Sequence, residues 1–401
     1  MLDLLKKISI LPAALLMLAA CRKEEPDILI PEPSGIQVFN LENRTVRSYL
    51  DRLELQPYTD GDYSYSWIDE YWDMTTSYRK DHPAPATVEW TANPESIAQS
   101  VTVSENADFS DSWSWPVKNS ASSYDIFNLI PGRTYYWKAE ARMEDDTMIL
   151  LDSAHFHTEG RRRFLRIDNI CNVRDLGGIP TMNGKHIRYG LLFRGGEMNG
   201  YNLDKSGEYC RASYYGLRDL RQAGIRADLD MRTEKESTGI EESPLGADAD
   251  YILFPEANQY YYDKFWTTDD YIKAVRWIID ELKLGRPVYF HCIYGADRTG
   301  TLAFIIEALL GVSENQMSVD YEMTSFSYGL NDAPRRRGPK NEVSVYRYRQ
   351  MLEGVLSSKF DGETVQEKIR NFLIHGCTDK KRSATVSEED LDWFADRVLE
   401  N

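Results

Sequence analysis

The chain has 401 residues, of which 42% are hydrophobic, 12% aromatic and 28% charged, and its formal net charge is −17. That is globular composition in a chain too long for one ordinary core, so two domains are expected. The acidic balance argues against a nucleic-acid partner, and an anionic ligand has to be drawn in by a local basic pocket.

Residues 1–21 belong to neither core. Lys6 and Lys7 precede an apolar run, Ile8 to Ala20, that is too short to span a membrane stably and has the form of a signal-peptide core. It ends in Leu18-Ala19-Ala20-Cys21, which resembles the lipobox of a bacterial lipoprotein. The resemblance implies that Cys21 becomes a lipidated N-terminus; the other reading is a plain secretory signal in which Cys21 is incidental. Either way the chain is exported, and the lipid would anchor it to a membrane on the periplasmic or cell-surface side. Residues 22–34, with Glu24, Glu25 and Asp27 between basic and proline residues, read as a solvated tether.

Residues 35–160 form the first folded region. The segment NRTVRSYLDRLEL has helical character but no obvious place, and residues 35–70 stay unassigned. From about Pro83 come short runs of alternating character: Ala86 to Thr91, Ser100 to Ser104, Tyr124 to Phe127, Thr134 to Ala141 and Leu150 to Thr158, separated by turn signals such as Asn93-Pro94 and Pro131-Gly132. That rhythm predicts an antiparallel β-sandwich. The stretch NLIPGRTYYWKAEARMEDD also resembles the Leu-x-Pro-Gly-x-x-Tyr-x-Trp corner of fibronectin type III modules, which implies an all-β sandwich with room for a protein or glycan partner.

Over 161–401 strands alternate with helices, the pattern of α/β architecture. Tyr271, Val275, Ile278, Ile279 and Leu282 recur at helical spacing, and Gly285 and Pro287 stop that helix before a strand at Val288 to Phe290. A helix closing at Gly224 precedes a strand over Ile225 to Met231, and a mostly apolar helix runs from Thr299 to Leu310. The basic run at 334–340, the only dense one in this part apart from 161–163, reads first as a solvated face and lies where it could overhang a pocket. Cys171, Cys210, Cys292 and Cys377 are too widely spaced for a disulfide framework, and the six histidines and the cysteines show no metal-site spacing, so neither a metal nor a cofactor is expected.

The informative stretch is YFHCIYGADRTGTLAF, from Tyr289. A strand ending at Cys292, a short loop, Arg298 and then a helix aim backbone N–H groups at one point, where the helix dipole also favours negative charge. Such a loop, Ile293, Tyr294, Gly295 and Ala296, is a cradle for a phosphate-sized dianion. The same field favours the thiolate of Cys292. Arg298 offers a planar fork for two phosphoryl oxygens, Gly295 permits the tight turn, Thr299 can donate to the sulfur or to the attacking oxygen, and His291 braces the loop.

HCIYGADRTG resembles the His-Cys-x-x-Gly-x-x-Arg-Thr-Gly signature of cysteine-dependent protein tyrosine phosphatases. Upstream, NICNVRDLGGIPTMNGKHIRYGLLFRGGEM and AGIRADLDMRTEKE resemble a bacterial group of that family, with Arg174, Asp175, Gly177, Gly178, Arg194, Asp230 and Arg232 on matching positions. The resemblance implies a central, mostly parallel sheet flanked by helices, and hydrolysis of a phosphorylated protein or small phosphoester through a phosphocysteine. Several members also take phosphoserine or phosphoinositides, so a dual-specificity, phosphoinositide or inositol-phosphate phosphatase is the alternative. A rhodanese-like sulfurtransferase and a non-catalytic phosphate-binding module are the other classes weighed.

Three positions depart from the family. Gly195 replaces the usual serine, Tyr294 a small residue, and Ala296 a lysine whose loss argues against polyphosphorylated lipids. The strand over Ile225 to Met231 carries Arg226, Asp228 and Asp230 where a buried parallel strand is ordinarily apolar. A leaving alkoxide or phenolate needs a proton donor. Asp297, inside the loop, is preferred for its position; Asp230 is the rival. Arg174 and Asp175 read as a structural turn and ion pair.

Overall fold

The computed structural model describes residues 36–57, 82–203, 209–237, 239–254, 264–327, 345–377 and 384–401. The expected signal segment and Cys21, the tether, residues 58–81 and the basic run at 334–340 lie outside these residues. Residues 36–401 form one unit.

In the N-terminal part the chain runs β1 (Gln37–Asn40), α1 (Arg44–Leu55), β2 (Ala86–Glu89), β3 (Ala98–Ser104), β4 (Trp113–Val117), β5 (Ser123–Ile126), β6 (Thr134–Arg142) and β7 (Met148–Glu159). Five strands pair in the order β1-β7-β6-β3-β4, and β2 pairs with β5. Alternation decides which side chains enter the core. Along β6 the residues Tyr135, Trp137, Ala139 and Ala141 are buried, and the first three share one cluster with Val88, Val101, Val103 and Phe156. The strand β4 was not anticipated. It carries Pro116, which cannot donate to a ladder, and is tolerated because β4 sits at the sheet edge.

The helix α1 answers the question its segment raised. Asn43 caps it by accepting from the amides of Thr45 and Val46, and Val46, Tyr49, Leu50 and Leu53 form one buried stripe. That stripe packs not on the β-sheets beside it in sequence but into the core of the C-terminal part, where the Tyr49 hydroxyl donates to Glu322 at 2.8 Å. Each such side chain contributes on the order of 1.5–3 kcal/mol. A boundary at residue 160 therefore does not separate α1 from the core of the C-terminal part.

The C-terminal part continues with β8 (Arg163–Phe164), β9 (Arg174–Asp175), β10 (His186–Ile187), β11 (Leu192–Gly195), β12 (Asn199–Leu203), β13 (Tyr209–Arg211), α2 (Tyr214–Gln222), β14 (Ala227–Asp230), α3 (Glu234–Ser237), β15 (Asp250–Leu253), α4 (Asp270–Lys283), β16 (Val288–His291), α5 (Asp297–Leu309), α6 (Glu314–Met323), α7 (Val345–Leu356), α8 (Val365–His375), α9 (Glu388–Val398) and β17 (Leu399–Glu400). Six strands form the central sheet in the order β15-β14-β16-β11-β9-β8, the first four mutually parallel. Its side chains divide between two cores: Leu192, Leu229 and Phe290 join the cluster that contains α4 and α5, whereas Phe193 and Tyr289 join the one that contains Leu220 of α2. This is a mixed α/β fold with the β16–α5 connection at the C-terminal edge of a central parallel strand.

The basic run at 161–163 is held by carboxylates and carbonyls. Arg161 pairs with Glu42 at 2.9 Å, Asp51 at 3.0 Å and Glu54 at 2.7 Å. Arg163, buried, bonds to Asp175 at 2.9 Å and to the carbonyls of Leu129 and Asn128. Arg163 thus ties the segment after β5 to the central sheet, and Arg161 ties the connection to α1.

Candidate active site

Cys292 comes directly after β16, and α5 begins at Asp297, so the loop between them is five residues including the cysteine. Gly295 has φ +66°, and a Cβ there would lie 2.5 Å from the carbonyl carbon and oxygen of Gly195; only glycine turns the chain so tightly against its neighbour. Ala296 sits at the helix cap and offers no side-chain acceptor, so the amides of the first turn of α5 are left for a bound anion. Cys292 is buried, and Ile293 and Tyr294 are half-buried.

Arg298 is aimed by a residue that no motif in the sequence marks. Glu236, in α3, accepts from Nη1 at 2.8 Å and from Nη2 at 3.3 Å, and the carbonyl of Met231 accepts from Nη1 at 2.8 Å. The amide of Thr233 donates to the same carboxylate at 2.7 Å. Burial alone would raise the pKa of Glu236, but the bonds from Arg298 and Thr233 outweigh it and hold the group below its ordinary value. The available signal was a glutamate shortly after Arg232, on the connection leaving the strand next to β16.

A second set of buried groups grips the loop from behind. The Asn172 amide donates to the carbonyls of Tyr294 at 3.1 Å and Gly295 at 2.9 Å, and Arg194 Nη2 donates to the Gly295 carbonyl at 2.9 Å. Arg174 and Arg194 both bind Asp320 of α6, and Arg174 also holds the Asn172 side chain. Burial opposes ionisation of Asp320, yet the two guanidiniums keep its pKa far below the carboxylate range. Arg174 and Asp175, expected as a turn and ion pair, each pair elsewhere: Arg174 takes Asp320, and Asp175 takes Arg163 and the amides of Gly177 and Gly190.

The two aspartates that disturbed the pattern of β14 are buried. Asp228 accepts from Ser243 at 2.7 Å and lies 3.1 Å from Nε2 of His291, whose Nδ1 is 3.3 Å from the Cys292 carbonyl. His291 thus lies between Asp228 and the carbonyl of Cys292. Burial disfavours its charged form, but Asp230 and Asp228 outweigh this and raise its pKa. Asp230 accepts from the amide, Nε and Nη2 of Arg232 and from the Tyr251 hydroxyl at 3.2 Å. Burial would raise its pKa, and His291 and Arg232 reverse the sign.

Asp297 is half-buried at the first position of α5. The hydroxyl of Thr299, expected to donate to the sulfur or to the attacking oxygen, is fully buried and has no hydrogen-bond partner among the described residues. Gly195 is explained by a neighbour. A Cβ there would lie 2.1 Å from the hydroxyl of Tyr289, which instead donates to the Gly196 carbonyl at 2.6 Å, so the phenol fills the space a serine would need. Among the described residues no cluster of metal-ligating side chains occurs.

Residues 165–359 match the tyrosine phosphatase family. The chain is 27% identical over 215 residues to a putative tyrosine-protein phosphatase of Cupriavidus necator, covering 45% of this chain and 75% of that one. It is 24% identical over 242 residues to the triple specificity protein phosphatase PtpB of Mycobacterium tuberculosis, covering 49% and 76%. Among solved structures, that of TpbA from P. aeruginosa aligns with 41% of this chain and 88% of that one at 15% identity and a TM-score of 0.24.

Proposed function

We propose that the chain, an enzyme of the tyrosine-phosphatase type, hydrolyses phosphomonoesters through a phosphocysteine at Cys292. The observation that carries this is one loop that places a thiol, an uncapped helix start and a guanidinium clamped by Glu236 around a single point. The sulfur attacks phosphorus and the ester oxygen leaves; Arg298 and the loop amides take up the charge on the equatorial oxygens. Water then attacks the phosphocysteine, which releases inorganic phosphate and returns the thiolate.

Asp297 is the proton donor to the leaving oxygen and afterwards the base toward water. What supports it is position, together with the state of its rival: Asp230 is ionised and fully engaged, so it has no proton to give. The substrates are phosphorylated proteins, tyrosine first; activity toward several phosphoester classes is the wider reading, in keeping with the name of the mycobacterial relative. The β-rich N-terminal part is read as a fibronectin type III-like module, and the protein as an exported lipoprotein held at a membrane through Cys21. Replacing Cys292→Ser should abolish turnover of phosphotyrosine peptide while vanadate still binds. Turnover near the wild-type rate in that variant overturns the phosphocysteine.

A further inference from the structure

A cavity of about 740 Å³ lies away from Cys292, at the junction of the N-terminal β-sheets with the α/β part, and Arg133, Arg161, Arg162, Lys185 and Tyr189 are among the residues lining it. Its size is that of a small-ligand pocket, and domain junctions are a common place for one.

The distribution of charge around it is unusual at Arg162. This side chain is 5% exposed, yet no carboxylate lies within ion-pair distance of it among the described residues. Its guanidinium reaches only neutral acceptors: the Gln316 side chain, the Gly178 carbonyl at 3.3 Å and the Arg161 carbonyl at 3.5 Å. Its Nε, buried, has no acceptor. A buried cation without a contacting anion is costly, and an unsatisfied buried donor calls for an explanation.

The acids nearest to it are already used. Glu42 is taken by the Arg161 side chain and by the amides of Arg161 and Arg162. Asp320 is taken by Arg174 and Arg194, and Glu307 is driven toward its neutral form by burial and by Asp320. Of the acidic side chains on the cavity wall, Glu54 is paired with Arg161, and Glu400 with His186 and Arg188; Asn401 also lines it. Arg133 and Lys185, by contrast, have no carboxylate partner among the described residues. The hydroxyl of Tyr189, whose pKa burial pushes up to about 12, adds a neutral donor.

We infer that this cavity binds a small anion with a carboxylate or phosphoryl head, held by Arg162 at its floor and by Arg133 and Lys185 at its rim, separately from the phosphate loop. A guanidinium fork and an ammonium are the donors such oxyanions take. The floor is one helical turn from the loop's support, since Gln316, which holds Arg162, and Asp320, which holds Arg174 and Arg194, are both on α6.

The test is binding rather than turnover, so it stands apart from the proposed reaction. Arg298→Met in the full chain removes the guanidinium fork of the phosphate loop, and inorganic phosphate and citrate are titrated into it by calorimetry. One-to-one saturable binding of at least one of them should persist, phosphate alone marking a phosphoryl head and citrate alone a carboxylate head. Adding Arg133→Ala and Lys185→Ala should weaken it by about tenfold or more. Those two are rim residues, so the result does not depend on whether a chain altered at Arg162 folds. No saturable binding of either anion to Arg298→Met, or binding indifferent to loss of both rim cations, overturns the inference.

Discussion

Glu236→Gln tests how the phosphate loop obtains its guanidinium. In the native chain the carboxylate takes three N–H bonds, two from Arg298 at 2.8 and 3.3 Å and one from the Thr233 amide at 2.7 Å. A glutamine keeps one acceptor oxygen. Placed where it still serves Nη1 and Thr233, it turns its own NH₂ toward Nη2, donor against donor, and the charge-assisted part of the clamp is gone. Losing such a bond to a charged group costs about 1.5–3 kcal/mol, which, if it falls on the transition state, lowers kcat/KM about 10- to 100-fold. Because Arg298 binds the phosphoryl group in both states, vanadate affinity should fall in parallel. The pH dependence has a definite sign. The folded-state pKa of Glu236 is depressed, so the clamp is complete above the ordinary glutamate value of about 4.3 and is lost as pH falls through the lower folded value. The assay is steady-state hydrolysis of an activated aryl phosphate with vanadate titration and a thermal melt beside it. A variant with a lowered Tm but unchanged kcat/KM and vanadate affinity would show that Glu236 only props α3 and that Arg298 is aimed by the Met231 carbonyl alone.

Asp297→Asn should cost about 10²–10⁴-fold on phosphoserine, whose alkoxide needs a proton, and little on an activated aryl phosphate. Asp230→Asn should slow both alike; the selective loss appearing there instead transfers the acid to Asp230. Asp320→Asn leaves Arg174 and Arg194 buried together without their shared anion and should lower stability by about 3–5 kcal/mol in urea unfolding; an unchanged midpoint refutes that account of the network. Cys21→Ala should release the protein from the membrane fraction, and retention after a high-salt wash excludes the lipid anchor.

Legibility in the sequence tracks the range of the physics involved. The reactive loop was readable because thiol, glycine, guanidinium and helix start fall within a few consecutive residues and act through local geometry. Its support was not, because Asn172, Arg174, Arg194 and Asp320 are scattered along the chain and meet only once β9, β11 and α6 are assembled. The stripe Val46, Tyr49, Leu50, Leu53 announced a helix with a partner, but amphipathicity carries no address, and the partner proved to be the more distant core. Asp228 and Asp230 broke the apolar rule for a parallel strand because charged and polar groups face them there: Ser243 and His291, from elsewhere in the chain, at Asp228, and Arg232, two residues on, at Asp230. The missing serine at 195 was visible as a departure; its cause, the Tyr289 hydroxyl, lies one strand away.

The bond pattern of Arg298 explains why an arginine, and not a lysine, belongs at this place. A guanidinium has five N–H donors in a fixed plane. Among the described residues three are spent on the protein: both of Nη1, on the Met231 carbonyl and on Glu236, and one of Nη2, on Glu236. The two that remain, on Nε and on Nη2, lie side by side along the other edge of the plane. That edge is the fork that chelates two oxygens of a tetrahedral phosphoryl group. An ammonium has three donors in no fixed plane; anchored to Glu236 and the Met231 carbonyl it would offer one to the substrate. Arg298→Lys should therefore keep the charge and still lose most of the transition-state stabilisation, since the plane that Glu236 fixes on one edge is what orients the other.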